Sequence, residues 1–551
     1  QTERTLSILL FFLISYLLTC FTLQKLFEKA GVEAKKAWIP GTNFIVWCKI
    51  VGQKPSHALW MLFPIVNFFI WAGLCVDMVR SFGKHDFGSS ALAVIFAPYI
   101  FWKIGSDPKS KYEGQILESE KKYFAEIQTA IESNNNVKLK RLRTNNPYQK
   151  GPIREWAEAI VFAVFAAAFI RMFLIEAYVI PTPSMEGSLL VGDFMFVSKA
   201  HYGIRTPMTI AMIPLLHNTI PYLNSESYLK TPSLGYHRLP AIAKINNNDP
   251  IVFNYPEGDS VYFTTNPNSR RQVWTAEDVR RNPEVAKYAK KRNLRLRPID
   301  KRDHYIKRCI GIPGDVMEIK DRQVFINGKP LQNSKNVQFQ YTVEGIQIES
   351  KGDQDKFLEK LEGIGVTTAP AVGDISPGTD RAGFKMHLSQ SQKSEIQNWY
   401  PNAVITVVEN KPNPIMAKAR IFPHDARYYG DWTVDNFGPL TIPKKGATIS
   451  LNKQTIALYR RIINVYEKNT LIENNGLFTI NGQPATEYTF QQDYFWGMGD
   501  NRHASEDCRY FGFIPENHIV GRPLFIWFST KNGNMKNGIN WNRIFSGAYK
   551  M

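Results

Sequence analysis

The sequence predicts a membrane-anchored, mostly-β protein, in which N-terminal transmembrane helices precede a large extracytoplasmic β-rich domain with inserted segments. Three observations lead to this prediction. Uncharged apolar runs are concentrated in the first 105 residues and again before residue 178, and basic segments flank them. After residue 190, short β-branched and aromatic runs alternate with Gly, Pro and Asn, which is typical of many short strands. A chain of 551 residues is also too long for one core.

The N-terminal region, residues 1–105, is predicted to be a membrane module with about three transmembrane helices. The runs 5–24 and 58–76 contain no charged residue and are long enough to cross a bilayer. The run 87–102 is shorter and contains Pro98, so it either spans the membrane or enters it as a re-entrant segment.

Loop charge predicts the orientation of these helices. The segments 25–57 and 106–154 are rich in Lys and Arg, whereas the short loop 77–86 has only two basic residues. Because basic loops tend to remain in the cytoplasm, both basic segments are placed there. Residues 106–154 are therefore predicted to be a cytoplasmic linker, and the apolar segment 155–178 is predicted to be a transmembrane helix that runs outward.

The outer domain is predicted to consist of two β-rich parts, 179–335 and 476–551, separated by an inserted β-rich subdomain over 336–475. Residues 270–300 are highly charged, and we expect them to form a helical excursion. Residues 350–400 form a further inserted segment in this interpretation.

Composition excludes several classes of protein. The net charge is +18, but the N-terminal lysines flank apolar spans, so we expect no nucleic-acid partner. Five cysteines in so long a chain do not form a disulfide scaffold. Cys309 and Cys508 are expected to be two buried thiols, with a disulfide between them as the alternative. Neither an H-E-x-x-H motif nor a paired C-x-x-C motif occurs, so no metal or cofactor is expected.

Three short stretches carry residues suited to chemistry. Residues 180–187 read I-P-T-P-S-M-E-G and hold Ser184 between prolines just past an apolar span. Residues 305–315 read Y-I-K-R-C-I-G-I-P-G-D, with Lys307 inside a strand-like run, and residues 499–509 read G-D-N-R-H-A-S-E-D-C-R. Each stretch alone has an ordinary interpretation: a turn serine, a surface lysine and a solvated loop.

Together, the three stretches resemble bacterial type I signal peptidases, which are membrane-bound serine proteases of the Ser–Lys dyad class. The resemblance implies that Ser184 is the nucleophile and Lys307 the general base. It also implies that the Thr182 hydroxyl and the Ser184 backbone N–H form the oxyanion hole. A lysine that loses its proton through burial can act as a base near neutral pH, so no histidine is needed.

The resemblance assigns supporting roles to four residues of the last stretch. Ser505 would hydrogen-bond to Lys307 and orient it, Asp507 and Arg509 would pair to hold the loop, and Asp500 is a further supporting residue. The sequence departs from the family at Gly187, where proline is usual, and at His503-Ala504, where Asp-Asn is usual. Neither departure replaces a reacting group, so modest effects are expected.

The implied substrates are signal peptides of translocated preproteins, cut after a small residue. The implied location is the bacterial inner (cytoplasmic) membrane, in a multi-pass arrangement with the catalytic domain on the periplasmic side. The lipid bilayer and the secretion translocon are further expected partners. The resemblance does not separate a housekeeping enzyme from a processing peptidase dedicated to one secretion substrate.

Two other kinds of function remain as alternatives. A Ser-His-Asp hydrolase would use His304 or His503, which lie close to the second and third stretches, although neither is associated with a G-x-S-x-G pattern. An inactive membrane scaffold on the same fold would need no chemistry at all, since a fold alone does not determine function.

Overall fold

The chain forms two compact units, residues 1–169 and residues 170–551. The computed structural model describes residues 2–62, 66–148, 152–209, 212–213, 215–220, 225–231, 233–263, 273–275, 279, 287, 294–346, 348, 350–366, 375–377 and 383–548.

The first unit is helical. Its core joins α1, α2, α3 and α4 around Phe27, Trp47, Cys75 and Phe101, all of which are fully buried. Lys29, at the end of α1, donates from Nζ to the Ile104 carbonyl in the last turn of α4 and to the carbonyls of Asp107 and Ser110 just beyond it, which satisfies acceptors that a helix C-terminus leaves open. The helices are α1 (Thr2–Lys29), α2 (Thr42–Val51), α3 (Val66–Arg80), α4 (Phe87–Ser106), α5 (Ile116–Glu132), α6 (Asn136–Thr144) and α7 (Pro152–Phe173), with 3₁₀ turns at Ala34–Ala37 and Pro55–Leu62.

Among the described residues, one helix, α4, has the length and apolar composition needed to cross a membrane. It covers the run 87–102, and its backbone leaves helical geometry at Phe96, two residues before Pro98, whose ring cannot fit an uninterrupted helix. The run 58–76 is divided between a 3₁₀ turn and α3. The module with about three spans therefore stays a prediction.

The predicted transmembrane helix 155–178 is wrong at its outer end. Helix α7 ends at Phe173, and β1 begins at Ile175. Strand β1 pairs with β2 along its whole length, from Ile175 opposite Ser198 to Val179 opposite Phe194. Glu176 is buried in this strand and forms ion pairs with Arg171 and Lys199, which a lipid-facing helix would not allow.

The second unit is mostly β, as predicted. Its main sheet has the antiparallel order β1-β2-β25-β5-β9-β23-β24, and smaller sheets have the orders β12-β11-β10-β17, β14-β15-β13-β16, β7-β6-β8, β19-β20-β21, β18-β22 and β3-β4. The strands of the described residues are β1 (Ile175–Val179), β2 (Asp193–Ser198), β3 (Thr219–Ile220), β4 (Ser225–Glu226), β5 (Pro250–Asn254), β6 (Ser260–Phe263), β7 (Val273–Thr275), β8 (Leu294–Leu296), β9 (His304–Gly311), β10 (Val316–Lys320), β11 (Gln323–Ile326), β12 (Lys329–Pro330), β13 (Gln338–Glu344), β14 (Ile375–Pro377), β15 (Gly383–Ser389), β16 (Val404–Val407), β17 (Phe437–Thr441), β18 (Thr448–Ser450), β19 (Leu471–Asn474), β20 (Leu477–Ile480), β21 (Gln483–Pro484), β22 (Glu487–Thr489), β23 (Tyr494–Met498), β24 (Ile514–Pro515) and β25 (Ile519–Ser529).

The main sheet carries apolar side chains on both faces because successive residues of a strand point in opposite directions. On β5, Val252 belongs to a core with Ile180, Met195 and Ile526. Its neighbour Phe253 belongs to a larger core on the other face. Burial on both faces fixes the register of β9, which carries Lys307, because a shift by one residue would move that side chain to the opposite face.

The first half of the predicted β-rich insertion is instead an α/β unit. Residues 338–407 contain, in order, β13, α8 (Lys351–Gly363), β14, β15, α9 (Gln390–Trp399) and β16, and the sheet order β14-β15-β13-β16 is that of a ferredoxin-like split βαβ fold. Val343, Phe357 and Leu388 form part of its core. The helices of the described chain after this unit are α10 (Pro414–Ala419), α11 (Ala426–Tyr429), α12 (Lys453–Arg461), followed by a π turn at Ile462–Tyr466, and α13 (Cys508–Phe511).

The predicted helical excursion over 270–300 lies largely outside the described residues. Among its described residues, 273–275 and 294–296 form strands β7 and β8, which pair with the two edges of β6. A helix is therefore wrong for those two segments.

Candidate active site

Ser184 lies in the turn that follows the edge strand β1. The backbone N–H of Ile180 donates to Asp193 O, which keeps the chain on the sheet up to the first proline. Pro183 then opens a single 3₁₀ turn, Pro183–Met185, in which proline occupies a position that needs no N–H donor. The side chain of Ser184 is held in this turn with only 7% of the residue exposed.

Lys307 approaches Ser184 from β9, which lies between β5 and β23 in the main sheet. Its Nζ donates to Ser184 Oγ at 2.8 Å and to the Ile306 carbonyl at 3.0 Å. The residue is 3% exposed, and no carboxylate of the described residues lies within ion-pair distance of its amine. A lysine that is buried without a direct ion-pair partner favours its neutral form.

The surroundings of Lys307 lower its pKa to about 8. Burial is the largest cause, because removal from water penalises the charged ammonium. The negative charges of Asp507 and Glu506 act in the opposite direction and limit the fall. The amine therefore carries a substantial neutral fraction near pH 8.

The loop 499–509, here called the motif loop, packs against the Ser184 turn. The N–H of Asn501 donates to the Ser184 carbonyl at 3.2 Å. Gly499 permits this approach, since a Cβ there would lie 2.3 Å from the same carbonyl oxygen and 2.2 Å from Ser505 Oγ.

The predicted pairing of Asp507 with Arg509 is present. Two guanidinium nitrogens of Arg509 donate to the two carboxylate oxygens at 2.9 and 2.8 Å, and both side chains are buried. The Asp507 carboxylate also accepts the Gly499 N–H at 3.0 Å. Burial would raise the pKa of Asp507, but Arg509 lowers it below its usual range, so the carboxylate stays ionised.

Asp500 holds a second ion pair that the motifs did not assign. Its carboxylate accepts from Arg308 Nε and Nη2 at 2.7 and 2.6 Å, and from Ser188 Oγ at 2.6 Å. Arg308 directly follows Lys307 on β9, so this pair joins the lysine strand to the motif loop. A charged residue next to Lys307 in a strand-like run was the sequence signal for this contact.

The expected hydrogen bond from Ser505 to Lys307 is wrong for this structure. The Ser505 hydroxyl has no hydrogen-bond partner among the described residues, although the residue is 4% exposed. Its Oγ lies against Gly499, while the Lys307 amine donates to Ser184 and Ile306 instead.

A cleft of about 310 Å³ opens at Ser184. Thr182 lines it and is exposed there, two residues before the serine. The rings of Tyr178 and His304, which both line the cleft, pack edge to face with centroids 4.7 Å apart. The lining consists of residues 178–182, Ser184 and 304–307, the buried side chains of Met185, Met195 and Val252, which form an apolar floor, and Ala504 and Glu506.

Neither candidate histidine is hydrogen-bonded to Ser184. His304 packs against the rings of Tyr178 and His217, and His503 bonds to Asp435 and to the backbone of Gln340. The geometry therefore does not favour a Ser-His-Asp hydrolase.

The two cysteines of the second unit, Cys309 and Cys508, are free and buried, which confirms the expectation of two thiols. Burial raises the pKa of both. Within the described part of the chain, no group of three or more His, Cys, Asp or Glu side chains is placed to hold a metal ion.

Comparison with known proteins identifies two similarities. The sequence model of the family described as "Signal peptidase, peptidase S26" matches residues 153–366 and 439–528, which is more than half of the chain. A model of a family of unknown function, DUF5684, matches residues 35–115.

Individual relatives are named signal peptidase I. The protein of Buchnera aphidicola subsp. Acyrthosiphon pisum is 24% identical over 394 residues, which cover 70% of this chain and 80% of the relative. That of Haemophilus influenzae is 22% identical over 409 residues, covering 72% and 76%. That of Rickettsia bellii (strain OSU 85-389) is 23% identical over 260 residues, covering 47% and 61%.

Proposed function

The chain belongs to the signal peptidase family, peptidase S26, and we propose that it is a membrane-bound serine endopeptidase that removes signal peptides from translocated preproteins. Ser184 is the nucleophile and Lys307 the general base in this proposal. The observation that carries it is the 2.8 Å contact between the Lys307 amine and the Ser184 hydroxyl, together with the burial of Lys307 away from water.

The reaction follows from the chemistry of these two groups. The neutral Lys307 amine takes the Ser184 proton as Oγ attacks the scissile carbonyl carbon. The resulting ammonium then returns the proton to the leaving amine as the C–N bond breaks, which leaves an acyl-serine. Lys307 next takes a proton from water as the water oxygen attacks the ester carbon, and it returns that proton to Ser184 Oγ as the C–Oγ bond breaks, which releases the cleaved signal peptide with a C-terminal carboxyl group.

Thr182 and the Ser184 backbone N–H are proposed to stabilise the oxyanion. Loss of one such donor typically lowers kcat by about 10²–10³-fold. The exposure of Thr182 at the cleft, beside Ser184, supports this role. Its hydroxyl is available to a substrate oxygen that arrives from the cleft.

The cleft suits an extended peptide with small side chains near the cut. One of its walls continues from β1, the terminal strand of the main sheet in the described chain, and an edge strand can pair with an extended ligand. The apolar floor and the limited volume favour small residues over large ones.

An aromatic surface on β2 and β25 supports a location at a membrane. Phe194, Phe196 and Trp527 form one cluster of rings. Trp541 and Phe545 nearby in the chain are 74% and 78% exposed. Aromatic rings concentrated on one surface are typical of the boundary between water and lipid. We therefore propose an inner-membrane protein whose second unit faces the periplasm, with the bilayer and the secretion translocon as partners.

The proposal is tested with the detergent-solubilised full chain and a purified preprotein, by mapping the cut with mass spectrometry. One cut is expected, after a small residue at the end of the signal peptide. A chain that leaves the preprotein intact, or cuts it within the mature part, would contradict the proposal.

Depletion of the protein in cells separates a housekeeping enzyme from a dedicated peptidase. Accumulation of many uncut preproteins indicates a housekeeping enzyme, and accumulation of a single one indicates a dedicated peptidase.

The pH dependence of cleavage is expected to follow the ionisation of Lys307. Only the neutral amine accepts the serine proton, and the pKa of Lys307 is lowered to about 8. The value of kcat/KM should therefore rise about tenfold per pH unit below pH 7 and level off above about pH 9. A profile of kcat/KM that is flat from pH 6 to pH 9 would exclude a lysine base.

A further inference from the structure

The motif loop is held by chain segments that lie outside the main sheet. Gln338, at the start of the split βαβ unit, runs beside the loop: its N–H donates to Asp500 O, and its carbonyl accepts the Arg502 N–H, both at 2.9 Å. On the other side, Arg509 Nη1 donates to Val434 O at 3.1 Å. The loop is therefore bonded both to β13 and to the segment 408–436 that connects β16 with β17.

His503 joins both of these segments through its two ring nitrogens. Nδ1 accepts the N–H of Gln340 on β13 at 3.2 Å, which places the ring proton on Nε2. Nε2 then donates to Asp435 Oδ1 in the connecting segment at 2.7 Å. The histidine and aspartate side chains are each 4% exposed, and the Phe339 ring packs edge-on against the imidazole at 5.4 Å.

The residues that follow His503 in the chain form part of the active site. Ala504 and Glu506 line the cleft, and Asp507 bonds to Gly499 beneath the Ser184 turn. A displacement of His503 would therefore move two residues that line the cleft and the carboxylates of Glu506 and Asp507, whose charges act on Lys307.

We propose that His503 is a positioning residue of the active site, which fixes the motif loop between the split βαβ unit and the connecting segment. The inference rests on the proposed function and extends it, because it makes the inserted segments part of the catalytic unit. Loss of either bond leaves a buried polar group without its partner, so the loop is expected to relax away from its present position.

Kinetics of three variants test the coupling. His503→Ala is expected to lower kcat about tenfold for each folded molecule with KM changed less than twofold, because the reacting groups are misplaced while the rest of the cleft remains. Asp435→Ala should give a similar loss, and the double variant should lose no more than either single one. The proposal would be overturned by an unchanged kcat, by a rise in KM as large as the fall in kcat, or by losses that are fully additive in the double variant.

A matched control separates positioning from general destabilisation. His518 is also a buried histidine, bonded to Asn517 and Arg302, and neither of these bonds joins it to the motif loop. His518→Ala should leave kcat per folded molecule unchanged, with the folded fraction measured by near-ultraviolet circular dichroism. An equal fall in kcat for this control would overturn a specific role for His503.

Amide hydrogen exchange provides a test that does not depend on cleavage. His503→Ala should increase exchange at least about tenfold at Asn501 and Ala504, whose N–H groups bond to the Ser184 and Asn501 carbonyls. His518→Ala should not. Unchanged exchange at the motif loop would overturn the proposal, whereas a parent chain that cuts no preprotein would count only against the proposed function.

Discussion

Replacing Lys307 with methionine is expected to lower the rate of signal-peptide cleavage on the order of 10³-fold or more, because Ser184 then has no base to take its proton. Methionine has a similar length and is apolar, so it can fill the buried space beside Tyr305 without adding a charge. The protein should remain folded, since removing a buried amine leaves no opposite charge uncompensated there. The rate is measured with a quenched-fluorescence peptide that contains the cut site.

A second buried lysine of the same unit provides the control. Lys301 is 4% exposed, burial lowers its pKa, and its Nζ lies near Met212 Sδ and the Tyr228 ring. Lys301→Met should retain cleavage within a few-fold of the parent. Ser184→Ala should lose as much activity as Lys307→Met, and the double variant should lose no more, because the two groups act in one step. Cleavage by Lys307→Met above about a tenth of the parent rate would remove the lysine from the mechanism.

The contact between Ser184 and Lys307 was expected from the resemblance of the three stretches taken together, whereas local patterns predict only the turn and the strand that carry the two residues. Two prolines fix the turn that presents Ser184, and a lysine inside a run of strand-forming residues has few places to lie other than a sheet. The Ser505 hydroxyl was misplaced because its direction depends on Gly499, where the backbone of the loop and the Ser184 carbonyl approach each other. Such a contact between distant segments leaves no periodic signal in either one.

The end of α7 was mispredicted for a similar reason, whereas the helices of the insertion were missed although the sequence indicates them. The run that becomes β1 is apolar enough to continue a helix, and only pairing with β2 and the ion pairs of Glu176 make it a strand. The two helices of the split βαβ unit did have a readable local signal. Ser350 with Asp353 and Ser389 with Gln392 are capping boxes, which are typical of helix starts.

The departures from the family pattern acquire a physical reason in the structure. His503 bonds to two inserted segments, and Gly187 lies where the chain approaches β13. Modest effects were expected at both positions because neither carries a reacting group. The contacts instead place both residues at the junction between the Ser184 turn, the motif loop and the inserted chain. Replacing either residue is therefore expected to have a larger effect on cleavage.

Gly187→Pro, which restores the residue usual in the family, is expected to destabilise this protein by about 3 kcal/mol or more. Gly187 has φ +90°, whereas proline is restricted to φ near −65°. A Cβ at this position would also lie 2.3 Å from the Asn336 carbonyl oxygen, which belongs to the backbone leading into β13. Since Ser184 is three residues away, the strain should lower cleavage as well as the unfolding temperature.

Alanine variants at two glycines separate the two causes. Gly328 has φ +78° in the hairpin between β11 and β12, and a Cβ there would meet no atom within 4 Å. Gly328→Ala therefore adds only the backbone strain of a left-handed residue, about 1–2 kcal/mol, while Gly187→Ala adds the collision with Asn336. The excess loss of Gly187→Ala over Gly328→Ala, measured by denaturant unfolding, reports how firmly the inserted chain is held against the Ser184 turn. Equal losses would mean that the Asn336 segment yields freely, and the inserted unit would then be no part of the catalytic framework.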